Sequence, residues 1–322
     1  MNPYVGHESQ LYGIEEHRLV GGKGDGMRLL QVRNGKGLEI TVSLDRCADI
    51  SRVTFCGMNV GYFSPCGYVA PAYYQPTGSD WLKSFTAGFL TTCGLEAVGS
   101  PCVDEGEVLP LHGTIGNTPA EEAYWHREGD FLVIHALIRD EVLFGRKLCL
   151  NRIIRVSLKE NALEILDEIT NTSGREQPVE LLYHMNMGYP LLDEDSVVSI
   201  PSASVTPRDA HAATGLDVCL QMEKPQPDYQ EMCFYHTFEG AKGEVSIFQP
   251  KHHKGLAIQF ATEQMDCFTQ WKMMGYRDYV LGLEPGNCYP DGRDVMRSSG
   301  LLKFLQPGET KSYGVRIRFF EQ

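Results

Sequence analysis

Apolar and polar residues alternate with a period of two in one segment of this chain after another. Leu38, Ile40 and Val42 flank Glu39 and Thr41, and Ile154, Val156 and Leu158 alternate with Arg155 and Ser157. After the turn-like Lys159-Glu160-Asn161, Leu163, Ile165, Asp167 and Ile169 alternate with Glu164, Leu166, Glu168 and Thr170, so the two runs predict a hairpin. Val245 and Ile247, then Leu256, Ile258 and Phe260, then Tyr313, Val315, Ile317 and Phe319 carry the pattern to the C-terminus. Successive side chains of a strand point to opposite faces, so this spacing gives strands with one buried face each. Between the runs lie Arg127-Glu128-Gly129-Asp130, Ser173-Gly174, Glu239-Gly240 and Pro307-Gly308-Glu309, whose residue types favour tight turns. A helical period of 3.6 is not sustained beyond short pieces. The expected architecture is mainly β.

Composition agrees with that pattern and narrows the function. The 33 glycines and 17 prolines exceed what helix interiors tolerate and suit many strands joined by many turns. With 42% hydrophobic and 10% aromatic residues, 322 residues can fill a large core. No Gly/Ser linker, low-complexity block, charge run or fixed-period repeat divides the chain, so one domain over 1–322 is expected. Lys and Arg number 29 against 42 Asp and Glu, a net charge of −13 with no dense basic run. Nucleic-acid affinity rests on neutralising phosphates, so nucleic acid and anionic membranes are poor partners. Glu8, Glu15, Glu16 and His17 occupy the stretch where a secretory leader would be apolar, so a cytoplasmic location is expected. The ten cysteines are scattered without a C-x-x-C pair and read as reduced, mostly buried thiols.

Four segments could carry chemistry. In Glu180-Leu-Leu-Tyr-His-Met-Asn-Met-Gly-Tyr-Pro190, a strand closed by Gly188 and Pro190 presents His184 and Asn186 at a sheet mouth, unless His184 is a hydrogen-bonded core residue. In Val280-Leu-Gly-Leu-Glu-Pro-Gly-Asn287, Glu284 is held between Leu283 and Pro285, where partial desolvation tunes a carboxylate as a base; a turn-capping or salt-bridged Glu is the alternative. Leu109-Pro-Leu-His-Gly-Thr-Ile-Gly-Asn117 sets His112 before a glycine that permits close approach to a ligand, or is simply a Gly-rich turn. Asp45-Arg46-Cys47-Ala48-Asp49 holds either a structural ion pair or a polar ligand contact. Trp81, Lys83 and Phe85, and later Trp271, Lys272 and Tyr276, suit a sugar face or the core. Signatures of Walker A, G-x-S-x-G, Rossmann and H-E-x-x-H sites are absent from the sequence, and His252-His253 reads as a surface turn.

Taken in order, Leu-His-Gly, Tyr-His-x-Asn-x-Gly, Leu-Glu-Pro and the final Leu-x-Pro-Gly-Glu-x-x-x-Tyr (Leu305 to Tyr313) resemble the aldose 1-epimerase, or galactose mutarotase-like, superfamily. Leu-His-Gly-Thr-Ile-Gly-Asn-Thr-Pro-Ala and Gly-Leu-Glu-Pro-Gly-Asn are similar to its divergent DUF4432 branch. The resemblance runs over nearly the whole chain. It implies an all-β supersandwich of stacked antiparallel sheets with an open sugar cleft, a small-molecule carbohydrate as partner, and neither a metal nor any other cofactor. It also implies acid–base ring opening, with Glu284 taking the anomeric proton and His184 protonating the ring oxygen. His112 would hold the sugar, with Asn186, Asn117 and Trp271 as further binding candidates. The early sugar-contacting Arg of the superfamily is missing in its usual form, and Arg46 and Lys83 are the candidate replacements.

The leading expectation is therefore an isomerase that interconverts the anomers of a free sugar or sugar derivative. A non-catalytic carbohydrate-binding or sensing module with the same cleft, and an epimerase acting at another carbon, are the alternatives.

Overall fold

The computed structural model describes residues 2–322. Its predicted strands are present, and they assemble into three main antiparallel sheets. The first is a five-stranded meander, Gly13–Arg18, Arg28–Arg33, Leu38–Ser43, Asp49–Phe55 and Met58–Asn59, in which each strand pairs with the next.

An eight-stranded sheet follows the order Glu122–Glu128, Phe131–Glu141, Lys147–Ser157, Ala162–Asn171, Thr310–Glu321, Lys254–Ala261, Lys242–Gln249 and Val197–Ser199. The predicted hairpin lies at its centre, with Val156 opposite Leu163 and Ile154 opposite Ile165. The C-terminal strand pairs with both Ala162–Asn171 and Lys254–Ala261, so the chain's end is laced into the middle of the sheet.

The third sheet holds the candidate site. Its order is Ser204–Pro207, Met232–Thr237, Cys267–Met274, Tyr279–Gly286, Gln177–Met187 and Lys303–Leu305, with Leu90–Leu95 also paired to Gln177–Met187. The inward rows of all three sheets meet in one apolar cluster that includes Val32, Ile40, Ile134, Leu150, Ile165, Leu181, Tyr183 and Ile317. Burying such rows is the main favourable contribution to folding.

One charged residue crosses that core. Arg152, fully buried, donates to Asp49 (2.7 Å), Asp167 (2.6 Å), the Thr92 hydroxyl (2.8 Å) and the Cys47 carbonyl (3.0 Å). Tyr183 donates to Asp167 at 2.8 Å. Asp49, Arg152 and Tyr183 come from the three different sheets, so this buried network ties them together.

The α-helices among the described residues are Ala210–Ala213 and Arg293–Ser298, and none is long and apolar enough to cross a membrane. The ten cysteines are free thiols, six of them buried.

Candidate active site

The site is built by strand register. Leu182 pairs with Gly286 and Asn186 with Gly282, which sets His184 directly across from Glu284 between two neighbouring strands. On the other side of the Glu284 strand, Thr269 pairs with Glu284 and Trp271 with Gly282, and one strand further Cys233 pairs with Trp271. Because alternate residues share a face, these side chains project together. Gly282 makes room for the carboxyl group: a Cβ there would lie 2.1 Å from Glu284 Oε1 and 2.9 Å from the Trp271 Cβ.

The result is a cleft of about 220 Å³ whose floor is His184, Glu284 and Thr269. Trp81, Phe85, Leu111, His112 and Trp271 wall it, and Arg208, Glu231 and Cys233 close one end. Pockets for drug-sized ligands run from about 300 Å³ upward, so this one fits a smaller molecule.

His184 Nδ1 lies 3.2 Å from Glu284 Oε1. The contact is close but out of line with the imidazole N–H, and among the described residues neither atom has an aligned hydrogen-bond partner. Both side chains are nearly fully buried. Burial pushes the Glu284 carboxyl well above the ordinary carboxylate range, with Glu231 adding to the effect and Arg208 opposing it. The same desolvation lowers His184 to about 4. Each group is therefore favoured in its neutral form, and the pair holds one proton, on the carboxyl. The His184 ring is wedged between Phe85 and Trp271, with centroids at 5.4 and 5.2 Å in edge-to-face arrangement.

His112 reaches the cleft from a loop. Its N–H donates to the Gly99 carbonyl (2.9 Å), and the Gly99 N–H donates to His112 Nδ1 (3.3 Å). An accepting Nδ1 leaves the proton of the neutral ring on Nε2. Burial, reinforced by His184, lowers His112 well below the usual histidine value, so the neutral ring is the resting form. Gly99 cannot be replaced without strain: its φ is +84° and a Cβ would sit 2.0 Å from the Pro290 backbone. The Gly99 segment is pinned one residue earlier, where the Val98 N–H donates to Glu180 Oε2 at 2.8 Å. Glu180 lies on the same face of the same strand as His184, so one strand supplies the site histidine and the anchor of the segment that holds His112.

The other expected residues divide. Trp271 is in the cleft wall, its Nε1 donating to Glu231 at 2.7 Å. Asn186 is fully buried beside the floor and donates to the His184 carbonyl (3.0 Å) rather than lining the cleft. Asn117 is buried away from it and accepts from the Ser84 hydroxyl (3.2 Å). Arg46 also lies outside: its guanidinium donates to the carbonyls of Gly116, Val69 and Ser84, holding three loop segments together. Lys83 is exposed and paired with Asp80 at 2.7 Å.

The cation that does reach the cleft is Arg208, absent from the sequence expectations along with Glu231, Cys233 and Thr269. Arg208 follows a four-residue strand and Glu231 precedes a six-residue one, and in a linear reading both look like ordinary polar loop residues. Among the described residues no three His, Cys, Asp or Glu side chains converge as a metal ion would require.

The stacked antiparallel sheets are those of the galactose mutarotase-like all-β fold. The chain belongs to the family described as Domain of unknown function (DUF4432), whose model matches residues 24–319. It is similar to a Klebsiella pneumoniae protein provisionally named an aldose 1-epimerase, with 28% identity and a TM-score of 0.90 over 97% of this chain and 84% of that one. It shares its fold with galactose 1-epimerase from Lactobacillus acidophilus (13% identity, TM-score 0.65, 96% of this chain and 99% of that one). A galactose mutarotase-like protein from Clostridium acetobutylicum has the same fold (13% identity, TM-score 0.65, 97% and 100%). No curated protein sequence matches the chain.

Proposed function

We propose that this protein interconverts the anomers of an aldose by acid–base ring opening and closure. The observation that carries the reading is the buried His184–Glu284 contact on the floor of a small aromatic-walled cleft. Opening a cyclic hemiacetal removes the proton of the anomeric hydroxyl and delivers one to the ring oxygen, with no net change in protons. The two oxygens are bonded to the same carbon, so an acid and a base that touch each other can serve both at once.

In the resting pair the proton is on Glu284. Moving it to His184 gives the carboxylate and imidazolium in which Glu284 is the base and His184 the acid, and a bound sugar favours this form: its anomeric hydroxyl donates to the carboxylate and its ring oxygen accepts from the imidazolium. The C–O bond then breaks, the aldehyde carbon turns, and closure on the other face runs the proton transfers in reverse. His112 Nε2–H is a further donor to the sugar, and Trp271, Trp81 and Phe85 offer apolar surface to its C–H face. Each acid or base contributes about 10²–10⁴-fold.

Exchange between anomeric protons, followed by NMR for a panel of aldoses, tests the reading. Acceleration over buffer is expected for at least one sugar. Glu284→Gln should lower that acceleration by at least about 10²-fold while saturable binding remains. Binding without acceleration in the unmodified protein would overturn the catalytic reading in favour of a sensing module.

A further inference from the structure

The cleft contains one permanently charged cation, and its charge is already matched. Arg208 Nη2 lies 3.2 Å from Glu231 Oε1, Nε lies 3.1 Å from Asp209 Oδ2, and Nη1 donates to Cys233 Sγ at 3.0 Å. Asp209 is fixed in turn by capping the helix Ala210–Ala213, accepting from the Ala212 N–H at 2.8 Å. Glu231 is fixed by the Trp271 indole. A guanidinium has five N–H groups. Three are engaged in these contacts, and the remaining two can still donate into the cleft without presenting net positive charge.

The other cations that could have served an anionic ligand are committed elsewhere. Arg46 is held by three carbonyls and Lys83 by Asp80 at the exposed surface. Arg293 is buried against Asp104 (2.6 Å) and Glu107 (2.7 Å). With His112 and His184 neutral, the sum of Arg208, Asp209, Glu231 and Glu284 is negative, whichever form Glu284 takes. A polar group set of this kind matches hydroxyls, which both donate and accept. It opposes a carboxylate or phosphate, which would bring a negative charge beside Glu231 with no unpaired cation in the cleft to compensate it.

We propose that Glu231 is a specificity residue of this cleft: by occupying Arg208 it restricts the site to uncharged monosaccharides and rejects sugar acids and sugar phosphates. The proposal rests on the sugar reading above and adds the substrate's charge class to it. Glu231→Gln tests the effect, because the amide oxygen can still accept from the Trp271 indole while one of the two carboxylates that match Arg208, the one lining the cleft, is gone.

The test is NMR titration of the whole chain with D-glucose and D-galactose against D-glucuronate and D-galacturonate. The unmodified protein should bind at least one neutral sugar at least about tenfold more tightly than the matching uronate, and Glu231→Gln should narrow that gap about tenfold. Adding Arg208→Met to Glu231→Gln should abolish the gain for the uronate. Equal affinity of the unmodified protein for sugar and uronate overturns the proposal alone, and this comparison decides even if the variants do not fold. An unchanged gap in a folded Glu231→Gln, or a gain that survives Arg208→Met, overturns it as well. Failure to bind all four probes overturns it together with the reading on which it rests.

Discussion

His184 and Glu284 are displaced from their ordinary titration ranges in opposite directions by the same cause, burial, and this dictates a pH profile. The competent pair carries one proton. As pH falls through about 4, His184 gains a second proton and the pair loses its acceptor. As pH rises through the elevated Glu284 value, the pair loses its only proton and has no donor. The catalysed part of anomer exchange, with the buffer rate subtracted at each pH, should therefore be flat across neutral pH and fall on both sides. A rate that climbs steadily with pH would instead mean that Glu284 works as an ordinary exposed carboxylate. The sequence carried part of this arrangement: Leu283 and Pro285 beside Glu284 already signalled desolvation. The partnership was legible only through the family resemblance and not from the local strings, because His184 and Glu284 are a hundred residues apart and meet through strand register.

Among the elements, the Glu284 strand shows how a missing side chain shapes a site. Gly282 interrupts an apolar run, and its bare Cα is where the Glu284 carboxyl lies. Gly282→Ala should displace the carboxylate and cut the catalysed rate by at least about tenfold, with the far-UV spectrum unchanged; a rate within twofold of the parent would show that the carboxyl has another resting place. Period-two alternation made the long strands legible, from Leu38 to Phe319. The shortest were not, since the four residues of Ser204–Pro207 are too few to establish a period. That is why Arg208, just beyond that strand, was missed while His184, at the end of a long one, was found. At Arg46 an Arg between two aspartates left a structural ion pair or a ligand contact open, and in the fold its guanidinium satisfies loop carbonyls that would otherwise be buried unpaired.

At the scale of the whole molecule, the sheets are joined through Arg152, whose guanidinium is shared by residues more than a hundred positions apart. Its burial is tolerable only because two carboxylates and a hydroxyl surround it. Arg152→Leu removes the cation and leaves Asp49 and Asp167 without their counter-charge, so unfolding in urea should reveal a loss of about 3–5 kcal/mol. The loss should shrink in acid, where Asp49, already raised by burial, takes up a proton; a penalty independent of pH would show that packing, rather than charge, is what Arg152 supplies. The strand Gln177–Met187 lies between this network and the cleft. Leu181, Tyr183, Met185 and Met187 face the common core, while Glu180 anchors the Val98–Gly99 segment that holds His112 and His184 lies on the cleft floor. Tolerance to substitution along this strand should therefore separate into two interleaved series. A selection scored on protein abundance should penalise the odd positions most, one scored on turnover should add His184 and Glu180 to them, and the difference between the two scores should oscillate every second residue.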